Sequence, residues 1–134
     1  MMRLVAISPL PVEPTAGPMG FNGSYSGQLA VQLDNGTVVA VGVPLSASSW
    51  ATYSGGGSDW QDIELLQDAS GWLIRVTSTA REDMQPDSVS SPRYWRGSRD
   101  GGAWAPLPAG PPIEGGQVVD RFSTPPVVAR VVRG

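Results

Sequence analysis

The sequence predicts an all-β protein: a single domain, built as an antiparallel β-sandwich or small barrel, with extended Pro/Gly-rich terminal arms. Three observations support this prediction. Apolar and polar residues alternate with the period of a half-buried strand. Turn-forming sequences separate the alternating runs. The 134 residues include 17 Gly and 13 Pro, which suits short strands joined by tight turns. We expect the core at residues 24–122, with an N-terminal strand and arm at 1–23 and a C-terminal strand or arm at 123–134.

The N-terminal region predicts one strand followed by an arm. Residues 3–7 (RLVAI) are apolar enough to form a strand. Residues 8–23 contain four prolines, which neither continue a helix nor donate to a sheet ladder. We therefore expect an extended arm or covering loop in which Pro9, Pro11, Pro14 and Pro18 make assembly contacts.

Residues 28–43 predict the first hairpin. Asn35-Gly36 lies between two alternating runs and is a preferred sequence for a two-residue type I′ turn. That turn pairs Val31 with Ala40, and Pro44 then ends the second strand. The glycine-rich stretch that follows, residues 45–58, is expected to be a flexible loop.

The central hairpin is predicted at residues 59–79. Asp68-Ala69-Ser70-Gly71 has the residue preferences of a type I turn. Closing the hairpin there gives a register that separates two faces. One face pairs Gln67 with Trp72, Leu65 with Ile74, and Ile63 with Val76; the other pairs Leu66 with Leu73, and Glu64 with Arg75.

A third hairpin is predicted at residues 93–107, around Asp100-Gly101. Its turn, Ser98-Arg99-Asp100-Gly101-Gly102-Ala103-Trp104, resembles the Asp-box hairpin of sialidase-type propellers and carbohydrate-active modules. The pattern there is S-x-D-x-G-x-[ST]-W; this copy is one residue shorter, has Ala before the Trp, and occurs once. The resemblance implies a local hairpin and no substrate contact.

Two strands are predicted near the C-terminus, at residues 117–122 and 127–133. The second follows Pro125-Pro126 and is rich in valine. An unpaired edge of this kind is prone to aggregation, so we expect it to pair within an assembly. The predicted assembly contacts in this segment are Val127, Val128, Val131 and Val132, and a homo-oligomer, most simply a trimer, is expected.

The composition argues against catalysis. The chain has no His and no Cys, and all nine basic residues are Arg, so the common general base, thiolate chemistry and Schiff-base chemistry are missing. Asp59, Asp62, Glu64 and Asp68 are candidates for a glycosidase pair, but a solvated polar face explains them more simply. We expect no enzyme activity, no cofactor and no bound metal. The net charge of −3 and the lack of a long apolar run predict no nucleic-acid or membrane partner.

Aromatic residues are the remaining candidates for binding. Tyr94, Trp95 and Trp104 are predicted to form a surface aromatic patch, and Trp50, Tyr53 and Trp60 could add to a platform for stacking sugar rings. The simpler interpretation is that most of these rings pack in the core.

A small, acidic, cysteine-free, all-β chain with Pro/Gly-rich arms resembles bacteriophage virion proteins, especially capsid decoration (cement) proteins. Those proteins often form trimers on the capsid and clamp neighbouring subunits. The resemblance implies a structural protein of the virion whose partner is the major capsid protein. Two alternatives stay open: a tail, baseplate or fibre component, and a carbohydrate-binding module that uses surface tryptophans, which would be extracellular.

Overall fold

The computed structural model of the chain describes residues 2–10, 15–17, 20–52, 55–108 and 116–124. These residues form ten strands. Their bounds are β1 Arg3–Leu10, β2 Thr15–Gly17, β3 Gly20–Gln32, β4 Val38–Thr52, β5 Gly55–Asp68, β6 Gly71–Glu82, β7 Ser88–Val89, β8 Arg93–Gly97, β9 Trp104–Leu107 and β10 Gln117–Ser123.

The strands form one antiparallel sheet that curls into a half-barrel. The main path runs β1-β3-β4-β5-β6-β8-β9, while β2 pairs with β3, β7 with β6, and β10 with β5. The predicted all-β fold is therefore confirmed. The curl brings β1 close to β10, where the backbone N–H of Leu4 donates to Asp120 Oδ2 at 2.8 Å. A side chain thus bridges two strands that have no ladder between them in the described residues.

The core lies on the concave face of this sheet. Leu29, Val43 and Ile74 are almost completely excluded from solvent, and burial of such side chains stabilises the fold by about 1.5–3 kcal/mol each. Half-buried aromatic rings pack at the margin of the core. The other buried members of the core are Met2, Leu4, Tyr25, Val31, Val41, Leu45, Ala47, Ile63, Leu65, Val76 and Trp95. The partly buried Trp60, Trp72, Trp104 and Phe122 pack against this core.

The central hairpin, β5–β6, has the predicted register along its whole length. Leu65 faces Ile74 and Glu64 faces Arg75. In the turn, the backbone N–H of Ser70 donates to Asp68 Oδ1 at 2.8 Å. This hydrogen bond stabilises the turn that the sequence predicted at residues 68–71. Both strands extend further than predicted, so this hairpin forms the longest continuous wall beside the core.

The first hairpin has a different turn from the one predicted. The N–H of Leu33 donates to the carbonyl of Thr37 at 2.8 Å, and the N–H of Gly36 donates to the carbonyl of Leu33 at 2.9 Å. Gly36 has φ = +87°, so the connection is a three-residue loop with a left-handed glycine rather than a two-residue type I′ turn. The prediction that Val31 pairs with Ala40 is wrong, because Val31 pairs with Val39.

This shift of one residue places Val39, Val41 and Val43 of β4 on one face, opposite the exposed Val38. Odd-numbered residues of both strands now point into the core, so Val41 and Val43 are buried beside Leu29. A bulge at Gly42, which has φ = +84°, then adds two residues to β4 without changing which face each side chain occupies. The strand continues past Pro44 to Thr52, so the prediction that Pro44 ends it is also wrong.

Residues 45–58, predicted as a flexible loop, are largely strand. They complete β4 and begin β5, which pair from Ser48↔Asp59 to Thr52↔Gly55. The indole ring of Trp50 lies across the backbone of Gly57. A Cβ added at that glycine would lie 2.8 Å from the indole Nε1. Glycine is required where a ring crosses a strand this closely. Because this stretch lacks large apolar residues, the sequence pattern did not indicate a strand.

Part of the predicted N-terminal arm is also strand. Strand β1 continues to Leu10, and residues 15–17 pair with residues 20–22 of β3. Pro9 lies within β1. The other predicted contact prolines, Pro11, Pro14 and Pro18, lie outside the described residues, as do Val127, Val128, Val131 and Val132.

The hairpin predicted around Asp100-Gly101 is confirmed as β8–β9. Ser98 Oγ donates to Asp100 Oδ1 at 2.7 Å, and the N–H of Gly102 donates to the same oxygen at 2.9 Å. These hydrogen bonds lower the pKa of Asp100, the serine hydroxyl having the larger effect. Trp104 Nε1 donates to the carbonyl of Gly101 at 2.8 Å and closes the turn.

The two faces of the central hairpin are expected to respond differently to mutation. Ile74→Ala should lower the free energy of unfolding by about 2–5 kcal/mol because it leaves a cavity in the core. Arg75→Ala should cost about 1 kcal/mol, since the Arg75 side chain is 28 % exposed and pairs with Glu64 at the surface. Urea unfolding of the two variants measures both values. Equal losses would contradict the assignment of the two faces.

Candidate functional site

Two strands share one edge of β5, and the site forms where they separate. Residues 55–59 of β5 pair with β4, whereas residues 62–67 pair with β10. Gln61 lies between the two ladders and is 6 % exposed. We call this point the junction, formed by Gln61 of β5, Pro44 and Ser46 of β4, and Thr124 after β10.

The side-chain amide of Gln61 replaces the missing ladder to β4. Its Oε1 accepts from the backbone N–H of Ser46 at 2.8 Å, and its Nε2 donates to the carbonyl of Pro44 at 3.4 Å. An amide side chain carries both a donor and an acceptor, so it can satisfy a strand in the way that a peptide group does. Strand β4 can therefore turn away from β5 without leaving buried backbone groups unpaired.

Thr124 fixes the other arm of the junction. Its backbone N–H donates to the carbonyl of Gln61 at 3.0 Å, and its Oγ1 accepts from the N–H of Gln61 at 2.9 Å. Thr124 is 2 % exposed. The end of β10 is thus held by two hydrogen bonds to one buried residue, immediately before Pro125-Pro126 in the sequence.

Two clefts open on either side of Trp60 above the junction. One, of about 360 Å³, is lined by Ser49, Ser58, Asp59, Trp60, Asp62, Arg81, Ser123 and Thr124. The other, of about 330 Å³, shares Asp59 and Trp60 with the first and is otherwise lined mainly by serine, threonine and glutamine side chains. Both volumes lie near the lower end of the range for small-ligand pockets, about 300–1,000 Å³.

Trp60 is held in place from two directions. Its Nε1 donates to Asp62 Oδ2 at 3.3 Å, and Asp62 Oδ1 accepts from Ser123 Oγ at 2.6 Å. The guanidinium carbon of Arg81 lies 5.2 Å from the centre of the indole ring, within cation–π distance. The orientation of the ring is therefore held by groups of the protein itself, from β5, β6 and β10.

Further ion pairs and hydrogen bonds hold the charged lining of the clefts. Arg81 forms two parallel hydrogen bonds with Asp87, at 3.0 and 2.9 Å. These bonds lower the pKa of Asp87 and raise that of Arg81. Ser48 Oγ donates to Asp59 Oδ2. Asp59 and Asp62 thus line the same cleft, and each carboxylate accepts a hydrogen bond from a serine hydroxyl.

The convex face of the sheet carries a row of ion pairs away from the clefts. Arg75 Nε donates to Glu64 Oε1 at 2.9 Å, and Arg121 Nε lies 3.6 Å from Glu64 Oε2. The hydrogen bond to Glu64 raises the pKa of Arg75, and a smaller interaction with Tyr94 acts in the same direction. The row links β10, β5, β6 and β8 and stabilises the sheet.

A second ion pair lies further along the same face. Arg96 donates two hydrogen bonds to Asp68, both at 3.0 Å, and the Asp68 side chain is 15 % exposed. These bonds lower the pKa of Asp68, and the N–H of Ser70 contributes to the same shift, while burial opposes it. Leu66 and Leu73 are buried on this face, and the charged pair lies beside them.

A larger cavity, of about 800 Å³, lies at the end of the sheet that carries the turns. Its walls include Met2, Leu33, Trp72, Arg99 and Val118. Trp72 Nε1 donates to the carbonyl of Arg99 at 3.1 Å, so the indole N–H is used within the protein.

The structure does not bring the predicted aromatic patch together. Trp95 is 7 % exposed and belongs to the core, with Arg93 over its ring at 5.5 Å. Tyr94 points to the opposite face, beside Arg75. Trp104 lies across Gly97, half-buried against the core. Among the tryptophans considered for sugar stacking, Trp60 is the one that adjoins clefts lined with polar groups.

The carboxylates that the sequence offered as a glycosidase pair are engaged in contacts. The glycosidase candidates Asp59, Asp62, Glu64 and Asp68 all hold hydroxyl, indole or guanidinium groups. Where the pKa of a carboxyl group is shifted, for Asp68, Asp87 and Asp100, it is lowered, whereas a general acid requires a raised value.

No cluster of three metal-ligating side chains occurs within the part of the chain that the structure describes.

Sequence analysis missed the residues that build the site. Nothing in a single glutamine or threonine marks Gln61 and Thr124 as neighbours 63 positions apart. The spacing of Trp60 and Asp62 did place them on one strand face, and that was the available signal.

Across the described residues, the structure contains no helix of the length and apolarity that a membrane crossing requires.

Comparisons with known proteins leave the family open. Searches against protein-family models, curated proteins and solved structures found no match.

The Asp68–Arg96 pair predicts a pH dependence of stability. Because the folded-state pKa of Asp68 lies below its ordinary value of 3.8, the pair contributes stability above that pH and loses it as the pH falls through the lower folded value. Asp68→Asn should lower the free energy of unfolding by about 1.5–3 kcal/mol at pH 7. The difference from wild type should shrink below about pH 4.

Urea unfolding from neutral to acidic pH measures this dependence. Asp87→Asn is the matched control, since the Arg81–Asp87 pair is exposed and should show little effect. A gap between Asp68→Asn and wild type that stays constant over the acidic range would contradict the assigned role.

Proposed function

We propose that this protein is a structural component of a bacteriophage virion, and specifically a capsid decoration protein that bridges neighbouring subunits of the major capsid protein. The junction at Thr124 supports this proposal most directly. It anchors the chain with two hydrogen bonds to Gln61 just before Pro125-Pro126 and the valine-rich residues 127–133. A segment that begins from a fixed point is suited to pairing with a neighbouring chain, because less freedom is lost on binding.

The polar groups of the described residues also favour a scaffold over a catalyst. Asp68, Asp87 and Glu64 are paired with arginines, and Asp120 holds the backbone of β1. Such contacts tie the strands and their connections together. They suit a protein whose task is to keep its shape within a particle.

We infer a homotrimer tied by its terminal segments. The four valines of residues 127–133 would stabilise an interface by about 6 kcal/mol or more if buried, before the cost of ordering the segment. Among the described residues, β1 and β9 are the end strands of the main path of the sheet, and an end strand of this kind can accept an additional strand. A tail, baseplate or fibre position would use the same device, with a different partner.

Removal of residues 125–134 tests the oligomer. The truncation leaves Thr124 and its hydrogen bonds in place, so the truncated chain should still fold and unfold cooperatively, although loss of the oligomer lowers its apparent stability. The full chain should be a trimer in multi-angle light scattering and the truncated chain a monomer. A chain whose residues 125–134 are replaced by Gly and Ser at equal length is the matched control and should also be monomeric.

Two results would contradict the oligomer proposal: an unchanged oligomeric state after truncation, or unfolding of the truncated chain. The position in the virion needs a separate experiment. Mass spectrometry of purified particles from the source should find the chain at a fixed ratio to the major capsid protein. Its absence from such particles would overturn the proposed function, and a copy number typical of a tail would move it to the alternative.

A further inference from the structure

The clefts beside Trp60 combine an oriented aromatic ring with fixed polar groups. The ring is half-buried against the core and held by Asp62 and Arg81. Asp59 is held in turn by Ser48, and Asp62 by Ser123. A binding surface whose side chains are already held in position loses little conformational entropy when a ligand binds.

The chemistry of the lining restricts the class of ligand. A purely apolar ligand would remove water from Asp59, Asp62 and the serine hydroxyls without replacing their hydrogen bonds, which is unfavourable. An anion would meet the two carboxylates. A cation would be repelled by Arg81, whose guanidinium lies 5.2 Å from the centre of the indole ring.

An uncharged ligand with many hydroxyl groups satisfies all of these conditions. Its hydroxyls can donate to the carboxylates and accept from Arg81 and from serine hydroxyls. Its C–H faces can pack on the part of the half-buried indole ring that lines the clefts beside Arg81, which buries apolar surface on both partners. Each cleft, at about 360 and 330 Å³, lies within the size range of small-ligand pockets.

We propose that the Trp60 clefts form a binding site for a neutral saccharide, with Trp60 as the stacking surface and Asp59 and Asp62 as hydroxyl acceptors. The site lies on the β5–β6 wall above the junction, and its described lining comes from β4, β5, β6, β10 and Thr124. It goes beyond the structural role proposed above, and the two proposals can fail independently.

Tryptophan fluorescence and calorimetric titrations with cellobiose, maltose, lactose and N,N′-diacetylchitobiose test the site. At least one of these neutral sugars should bind with a Kd on the order of 1 mM or tighter. Trp60→Ala should weaken that binding by at least about tenfold, because the stacking surface is lost. Asp59→Asn should also weaken it by about tenfold, and it leaves the ring and the core unchanged, so it remains informative if Trp60→Ala unfolds.

Two controls match these variants. Trp104→Phe changes another half-buried tryptophan, on β9, and Glu82→Gln changes another exposed carboxylate near the end of β6. Both should bind the sugar within about twofold of wild type. Failure of all four sugars to bind would overturn the proposal, as would undiminished binding by Asp59→Asn. Binding confined to sulfated or sialylated sugars would overturn the neutral class.

Discussion

The curl of the sheet depends on the junction at Gln61. Strands β4 and β10 compete for the same edge of β5, and a simple ladder can accommodate only one of them at a given residue. The Gln61 amide satisfies the departing strand, while Thr124 continues the arriving one. Because Gln61 and Thr124 are buried, leaving the groups of either residue unpaired would cost about 1–3 kcal/mol. The junction therefore sets where the sheet divides and where its concave face begins.

The consequences of that division extend over the whole molecule. With β10 seated on β5, Asp120 can reach the backbone of Leu4 and draw β1 toward it. The concave face is then enclosed by strands on both sides, and the apolar residues of β3, β4 and β6 meet there. The same division leaves the Trp60 clefts open at the surface. One arrangement of hydrogen bonds thus accounts for the core, the clefts and the anchored exit of the C-terminal segment.

The sequence predicted what depends on local pattern and missed what depends on tertiary contacts. The β5–β6 register was predictable because the alternation and the Asp68–Gly71 turn agree. The β3–β4 register was not, because a three-residue loop and a two-residue turn both suit Asn35-Gly36. The strands through residues 45–58 were invisible because small residues pack there under Trp50. Trp60 was one of six aromatic candidates, and only the tertiary structure distinguishes it from the buried Trp95.

Hydrogen exchange of Thr124→Val tests the role of the junction most directly. The substitution keeps the shape of the side chain but removes the acceptor of the Gln61 N–H. We expect the β10 amides, residues 118–123, to exchange faster, while the β5–β6 amides beyond the junction keep their protection and the free energy of unfolding falls by about 1–3 kcal/mol. Ser123→Ala, whose side chain faces Asp62 at the surface, should leave β10 protected. Unchanged β10 exchange in Thr124→Val would contradict the account.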